Sequence, residues 1–241
     1  MPLQIQRLLK TAKYAMYFDG VDDYVRVGVV DWFTGRKPWS ILLCPIPPVY
    51  THGSWRWIFL NAVPNKAGIH IYVSGNIQSF GMEIRRSDGS FIVGLDIPYT
   101  PYTLAFLVWT YDGNYVRGYR NAEFIESVTL TEDIPYTGYP LIIGHDSYVR
   151  YRGYVYAVAV YNRALSAEEI REIYRSNCSV FPSSALQLLY IANPDYIRDV
   201  DSDGVPEWID LSGNGNHGKI YGPTLTNLRK APVRKLQPVM R

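Results

Sequence analysis

GYVYAVAVYNRALSAEEI, residues 153–170, carries two kinds of structure in one stretch. Its first ten residues, Gly153–Asn162, are aromatic, β-branched and small apolar residues in close succession, and they read as a strand. The pattern then changes period. Ser166 is placed as a helix N-cap, and Glu169, three residues on, completes a capping box. Ile170, Ile173 and Tyr174 fall on one apolar face, so Leu165–Asn177 reads as a helix. SSALQLLYIANP, from Ser183, returns to a strand pattern.

Outward from this junction the chain is a succession of short strands. YAMYFDGVDDYVRVGV (Tyr14–Val29) is extended on both sides of a turn at Asp22-Asp23. WSILLCPIPPV (Trp39–Val49) is a buried strand ended by prolines. In SWRWIFLNAV, alternation puts Trp55, Trp57 and Phe59 on one face. Gly68–Leu95 reads as a meander turning at SDGS, and Thr103–Ser127 as two strands around DGN. About a dozen strands and one helix predict an all-β chain. The expected architecture is a two-sheet antiparallel jelly-roll sandwich with one short helix near 166–176 and extended termini.

A length of 241 residues suits one large all-β domain or two small ones. Apolar residues make up 47% and charged residues 19%, which supports a sizeable core and excludes global disorder. No basic start followed by an apolar segment marks a signal peptide, and no apolar run approaches a membrane span, so the expectation is a soluble chain. The two cysteines, Cys44 and Cys178, are far apart, and spacing leaves a disulfide and two buried thiols equally open. Charge is divided. Arg7, Lys10 and Lys13 at one end, and Arg229, Lys230, Arg234, Lys235 and Arg241 at the other, are unaccompanied by acids. All 22 acidic residues lie between them, so basic tails flank an acidic body.

Those acids concentrate in DVDSDGVPEWID, residues 199–210. Oxygen ligands stand at positions 1, 3, 5, 9 and 12 (Asp199, Asp201, Asp203, Glu207, Asp210), with Gly204 at the sharp turn and the Val205 carbonyl at position 7. The spacing resembles the calcium loops of EF-hand and thrombospondin type-3 repeats, and hard carboxylate oxygens in one loop suit Ca²⁺. Position 12 is Asp rather than the longer bidentate Glu.

Catalytic patterns are missing. Glu83 has no second acid two residues away, and Glu132-Asp133 precedes Pro135 with side chains pointing apart, so no carboxylate pair for glycoside hydrolysis is seen. His52, His70, His145 and His217 are scattered, and no nucleophile elbow, phosphate loop or zinc pattern occurs. The expectation is a protein that is not an enzyme. Among the aromatics, Tyr99, Tyr102, Tyr136, Tyr139, Tyr148 and Tyr151 fall in loops. They are candidates for stacking on sugar rings or for a subunit interface.

FDGVDDYV (18–25), WSILLCPIPP, VWTYDGNYVRGYRNAEF (108–124), PLIIGHD (140–146) and GYVYAVAVYNRALSAEEI, in this order, resemble the laminin-G-like jelly rolls of the concanavalin A-like lectin/glucanase superfamily. The resemblance covers roughly residues 14–176. It implies the sandwich fold and mostly non-catalytic roles: glycan binding, adhesion and protein contact. Two departures stand out. Tyr156 and Ala157 occupy the places of an acidic pair, and Asn121-Ala122 replaces Asn-Gly.

In that family a segment like DLSGNGNHG (Asp210–Gly218) and its strand usually open the domain; here they come last. Three placements are open: the strand folds back into its own sandwich, completes a neighbouring copy, or is a vestige. The expected organisation is a basic extension (1–13), the jelly roll (14–192), the acidic loop with the displaced strand (193–223) and a basic tail (224–241). The reading taken from this is a structural and adhesive surface subunit of an extracellular surface or a virion. It would self-assemble head to tail as a filament or virion component through Arg229, Lys230, Arg234, Lys235, His217 and Ile220. The alternative is a monomeric lectin-like module binding cell-surface glycans. Nucleic acid is a weak third partner, because no aromatics interleave the basic tail.

Overall fold

The computed structural model describes residues 12–50, 55–62, 66–144 and 150–228. Two antiparallel sheets enclose one main core. The chain runs β1 (Tyr14–Asp19), β2 (Tyr24–Val29), β3 (Trp39–Ile46), β4 (Trp55–Ala62), β5 (Gly68–Ser74), β6 (Ser79–Arg85), β7 (Phe91–Pro98), β8 (Leu107–Tyr111), β9 (Tyr115–Arg120), β10 (Glu123–Thr129), β11 (Pro140–Gly144) and β12 (Arg152–Tyr161). Helix α1 (Ala167–Arg175) follows, then β13 (Leu186–Ile191), β14 (Ile197–Arg198), β15 (Glu207–Trp208), β16 (Gly218–Tyr221) and β17 (Thr224–Asn227). One sheet is ordered β10-β9-β8-β3-β12-β1-β17, with β13 also pairing with β12; the other is β14-β15-β16-β2-β11-β4-β5-β6-β7. No helix among the described residues is long and apolar enough to cross a membrane.

The centre of the first sheet is β3 beside β12, paired from Tyr154↔Ile46 to Tyr161↔Ser40 with a one-residue register shift between Val155 and Val158. All eight residues of β3 are buried, and so are nine of the ten in β12. Such continuous burial explains why both read as apolar runs rather than as alternating strands. At the rim the pattern alternates: in β7, Val93, Leu95 and Ile97 are buried, and Gly94, Asp96 and Pro98 are exposed. The two sheets meet closely where β9 passes β7. A Cβ on Gly118 would lie 2.6 Å from Leu95 Cδ2, so only glycine lets the strands approach there.

Strand β4 departs from simple alternation. Its pairing with β5 shifts register between Trp57 and Phe59. The extra residue of the bulge turns Phe59 into the main core and Trp57 into a second, smaller cluster with Leu60, Ala62 and Ile142. The expected shared face of Trp55, Trp57 and Phe59 is therefore not formed, and Trp55 is 46% exposed. In the β9–β10 turn, Asn121 and Ala122 both adopt left-handed φ, 54° and 65°. These are the angles of a two-residue hairpin turn, for which Gly is the easier second residue.

The segment after β13 folds back onto the chain's own sandwich. β16 pairs with β2 (Ile220↔Val25), β15 with β16, and β17 with β1 (Tyr14↔Asn227). Of the three placements open from the sequence, this is the first. Ile220 is buried against Val25, and His217 Nδ1 accepts the Asp210 backbone N–H at 3.0 Å. Both residues hold this chain together, which corrects their assignment to contacts between copies. Arg229, Lys230, Arg234 and Lys235 lie outside the described residues.

Helix α1 has the expected capping box: Ser166 Oγ accepts from Glu169 N, and the Glu169 carboxylate accepts from Ser166 N at 2.9 Å. Arg163 adds a two-pronged ion pair to Glu169, at 2.7 and 2.8 Å. That guanidinium, with the cap N–H, lowers the Glu169 carboxyl from the ordinary 4.5 to about 2. A depressed carboxylate contributes stability that is complete above the unfolded value and disappears as pH falls through the folded one. Thermal melts of wild type and Glu169→Gln should therefore differ most above pH about 4.5 and converge as pH approaches about 2; a pH-independent gap would overturn this.

Candidate functional site

Asp210 opens the DLSGNGNHG segment and is buried. Its carboxylate accepts from Leu189 N (2.9 Å), Ser212 N (2.9 Å), Ser212 Oγ (2.7 Å) and Asn216 N (3.0 Å). Asn214 and Asn216 then donate their side-chain amides to the carbonyls of Leu186 (2.7 Å) and Gln187 (2.8 Å). Gly218 completes the seam, since a Cβ there would lie 2.6 Å from Val25 Cγ1 and 2.7 Å from Tyr190 Oη. The Gly-Asn-Gly-Asn wording thus builds a tight loop zipped along β13. Asp210 is committed to this loop, which removes it from the calcium ligands expected at position 12.

The other loop acids converge. The ligand atoms of Asp199, Asp201, Asp203 and Glu207 lie within 4.8 Å of one another. Asp199 Oδ2 accepts from Gly204 N (2.9 Å) and Asp203 Oδ1 from Val205 N (2.8 Å). Glu207, buried, accepts from Val200 N at 2.7 Å. Lys219 of β16 reaches across and bridges Asp201, at 2.8 Å, and Asp203. Its bonds to these two acids raise the ammonium's pKa, and Lys219 is the main cause of the lowered Asp203 carboxyl. A second acidic group, Asp19, Asp22 and Asp23, sits in the β1–β2 turn. There Asp23 Oδ2 accepts from Asp19 N at 2.7 Å, and burial raises its carboxyl.

The six loop tyrosines do not form one surface. Tyr99 is buried against Phe80, with ring centroids 5.2 Å apart, and burial pushes its hydroxyl up to about 12. Tyr151 is fully buried and donates to Tyr154 O at 3.1 Å. Neither can offer a ring face to a ligand, which corrects both assignments. Tyr102 is half-buried, with its hydroxyl turned inward and without a hydrogen-bond partner among the described residues. Tyr139 is half-buried against the Trp57 cluster. Tyr148 lies outside the described residues. Tyr136 is different: it is 59% exposed and lines an open cleft of about 590 Å³.

Three separate segments form this cleft: Val29–Trp32 with Thr34 at and beyond the end of β2, Tyr136 before β11, and Asn216 in the loop preceding β16. Trp32 is half-buried and Asp31 exposed. Residues bearing two aromatic rings, a carboxylate, a hydroxyl and an amide thus line one opening. Trp32, Asp31, Thr34 and Asn216 were not singled out from the sequence. The available signal was an aromatic, Trp32, between two strand patterns.

A laminin-G-type family model, described as Concanavalin A-like lectin/glucanases superfamily, matches residues 19–171. The chain belongs to that superfamily. Among solved structures, a "putative carbohydrate binding protein" from Bacteroides ovatus superposes with a TM-score of 0.69 at 15% identity, over 91% of this chain and 61% of that one. The binding domain of botulinum neurotoxin serotype G superposes with a TM-score of 0.52 at 12% identity, over 68% of this chain and 47% of that one. The superfamily member described here thus spans less than two thirds of either chain. No curated protein matches the sequence. The family match ends at residue 171, whereas the seam centred on Asp210 supplies β14–β17 from beyond it.

Replacing Asp210 by Ala takes the acceptor from backbone N–H groups on three residues, of which Leu189 is buried and Ser212 and Asn216 half-buried, and should cost about 2–4 kcal/mol of unfolding free energy. Urea denaturation checks this, and a change within about 0.5 kcal/mol would show that Asp210 is not the anchor of the seam.

Proposed function

We propose that this chain is a non-catalytic, lectin-like module that binds glycans in the cleft between Trp32 and Tyr136. The observation carrying the reading is the cleft itself. Sugar rings present an apolar face and a polar rim, and a site for them needs an aromatic surface flanked by a few hydrogen-bonding groups. Trp32 and Tyr136 supply the first; Asp31, Thr34 and Asn216 supply the second. Membership of a superfamily of lectins and glucanases, and a fold shared with a protein named for carbohydrate binding, support the same reading. The head-to-tail assembly first expected from the sequence loses its main support, because the segment it relied on is paired within the chain. Glycans on an extracellular surface are the natural partner.

A glycan array followed by titration calorimetry tests this. Tyr136→Ala should weaken binding by about tenfold, or ~1.4 kcal/mol, with unchanged melting; Trp32→Ala should weaken it by a similar factor while lowering the melting temperature, because its ring also packs edge-on against Phe33. No saturable glycan binding by the wild type, or binding indifferent to both changes, would overturn it.

The acidic loop adds a second element to the proposal. Asp199, Asp201, Asp203 and Glu207, with the Val205 carbonyl, form a hard-oxygen donor set of the kind that takes Ca²⁺. Lys219 occupies the same negative field, so a divalent ion has to displace its ammonium. Calorimetric titration with CaCl₂ should show binding that is weakened by Asp201→Ala and strengthened by Lys219→Met. Silence in all three proteins would leave Lys219 as the loop's own cation.

A further inference from the structure

The chain has only two cysteines, 134 residues apart, and the fold brings them together. Cys44, on β3, and Cys178, just past α1, are both buried, with Sγ atoms 3.2 Å apart. Nothing in the periodicity of either segment requires this meeting. It depends on how the chain leaves α1. Asn177 and Cys178 both adopt left-handed φ, 55° and 56°, a conformation usually left to glycine. Cys178 N donates to Ile173 O at 3.0 Å, and Asn177 N to Tyr174 O at 3.0 Å, so the helix end holds both residues there. The outcome of that strained turn is a thiol delivered onto Cys44.

We infer that Cys44 and Cys178 are joined by a disulfide when the chain folds under oxidising conditions. A reduced pair gains one weak S–H···S contact from a costly turn. A bond closes a loop of more than half the chain, which restricts the unfolded state most effectively for long loops. It also pins α1 to the strand at the centre of the sandwich. In the folded protein both sulfurs are shielded, and burial raises the Cys44 thiol, so the bond forms while the chain is still open. The chemistry is thiol–disulfide exchange. One cysteine thiolate attacks a small-molecule disulfide such as oxidised glutathione and expels one glutathione thiolate. The second cysteine then attacks the mixed disulfide and expels the other. Two protein thiols lose two protons and two electrons, and one oxidised glutathione becomes two reduced ones.

The test is to refold the full chain from denaturant in a glutathione redox buffer and map the native fraction by non-reducing peptide mass spectrometry. The expected result is one linked pair of peptides, containing Cys44 and Cys178, lighter than the separate peptides by two hydrogens. Reduction should lower the melting temperature, and Cys178→Ala should lower it by the same amount and then be insensitive to reductant. Two free thiols, or two glutathione adducts, in the native fraction would overturn the inference, as would a bond whose reduction leaves the melting temperature unchanged. The mapping decides the matter even where the variant fails to fold.

Discussion

The stack of Trp208 on Tyr190 is the contact that closes the sandwich. The rings lie 5.0 Å apart and nearly parallel, at 15°, and both are fully buried. Trp208 belongs to β15 in one sheet and Tyr190 to β13 in the other. Trp208 also donates its indole N–H to Ile191 O at 3.0 Å, so its one polar atom is satisfied where water is excluded. Burying a ring of this size contributes about 2–3 kcal/mol from apolar area alone. Asp210, two residues on, then turns the chain so that β16 can reach β2. Tyr221 arrives stacked on Tyr24, centroids 4.8 Å apart.

Both candidate sites are built on that closure. Asn216 reaches the cleft because its loop is zipped to β13. Lys219 meets the acidic loop because β16 lies beside β15. The chain's last described strands therefore act as the scaffold on which ligand-binding groups from distant segments are assembled, as loops carried by a rigid sandwich commonly are. The same closure leaves the strand that would have joined a neighbour with no unpaired work to do.

Local chemistry was readable wherever it is short in range. The capping box of α1 involves residues three apart, and the turn at Asp112–Asn114 joins adjacent strands. The continuous burial of β3 and β12 follows from their unbroken apolar wording. The convergence of Asp199, Asp201, Asp203 and Glu207 was visible because the loop is nine residues long and turns at Gly204. The bulge in β4 was not readable, since a shift of one residue is set by the partner strand and not by the strand's own alternation. Nor was the burial of Tyr99 and Tyr151. A tyrosine between strand patterns is on a loop, but whether that loop lies over the core depends on what packs above it.

By itself the sequence determined the all-β class, the single capped helix, the superfamily and the grouping of four acids, because each rests on residues close together in the chain. Only the tertiary structure decided that the late segment pairs in its own sandwich and that Asp210 serves the seam rather than the loop. It also decided that Trp32, Tyr136 and Asn216 share one cleft, and that Cys44 faces Cys178. Each of these outcomes depends on contacts between residues far apart in sequence. Their free energy comes from burial and register in the closed sandwich, which no local pattern encodes.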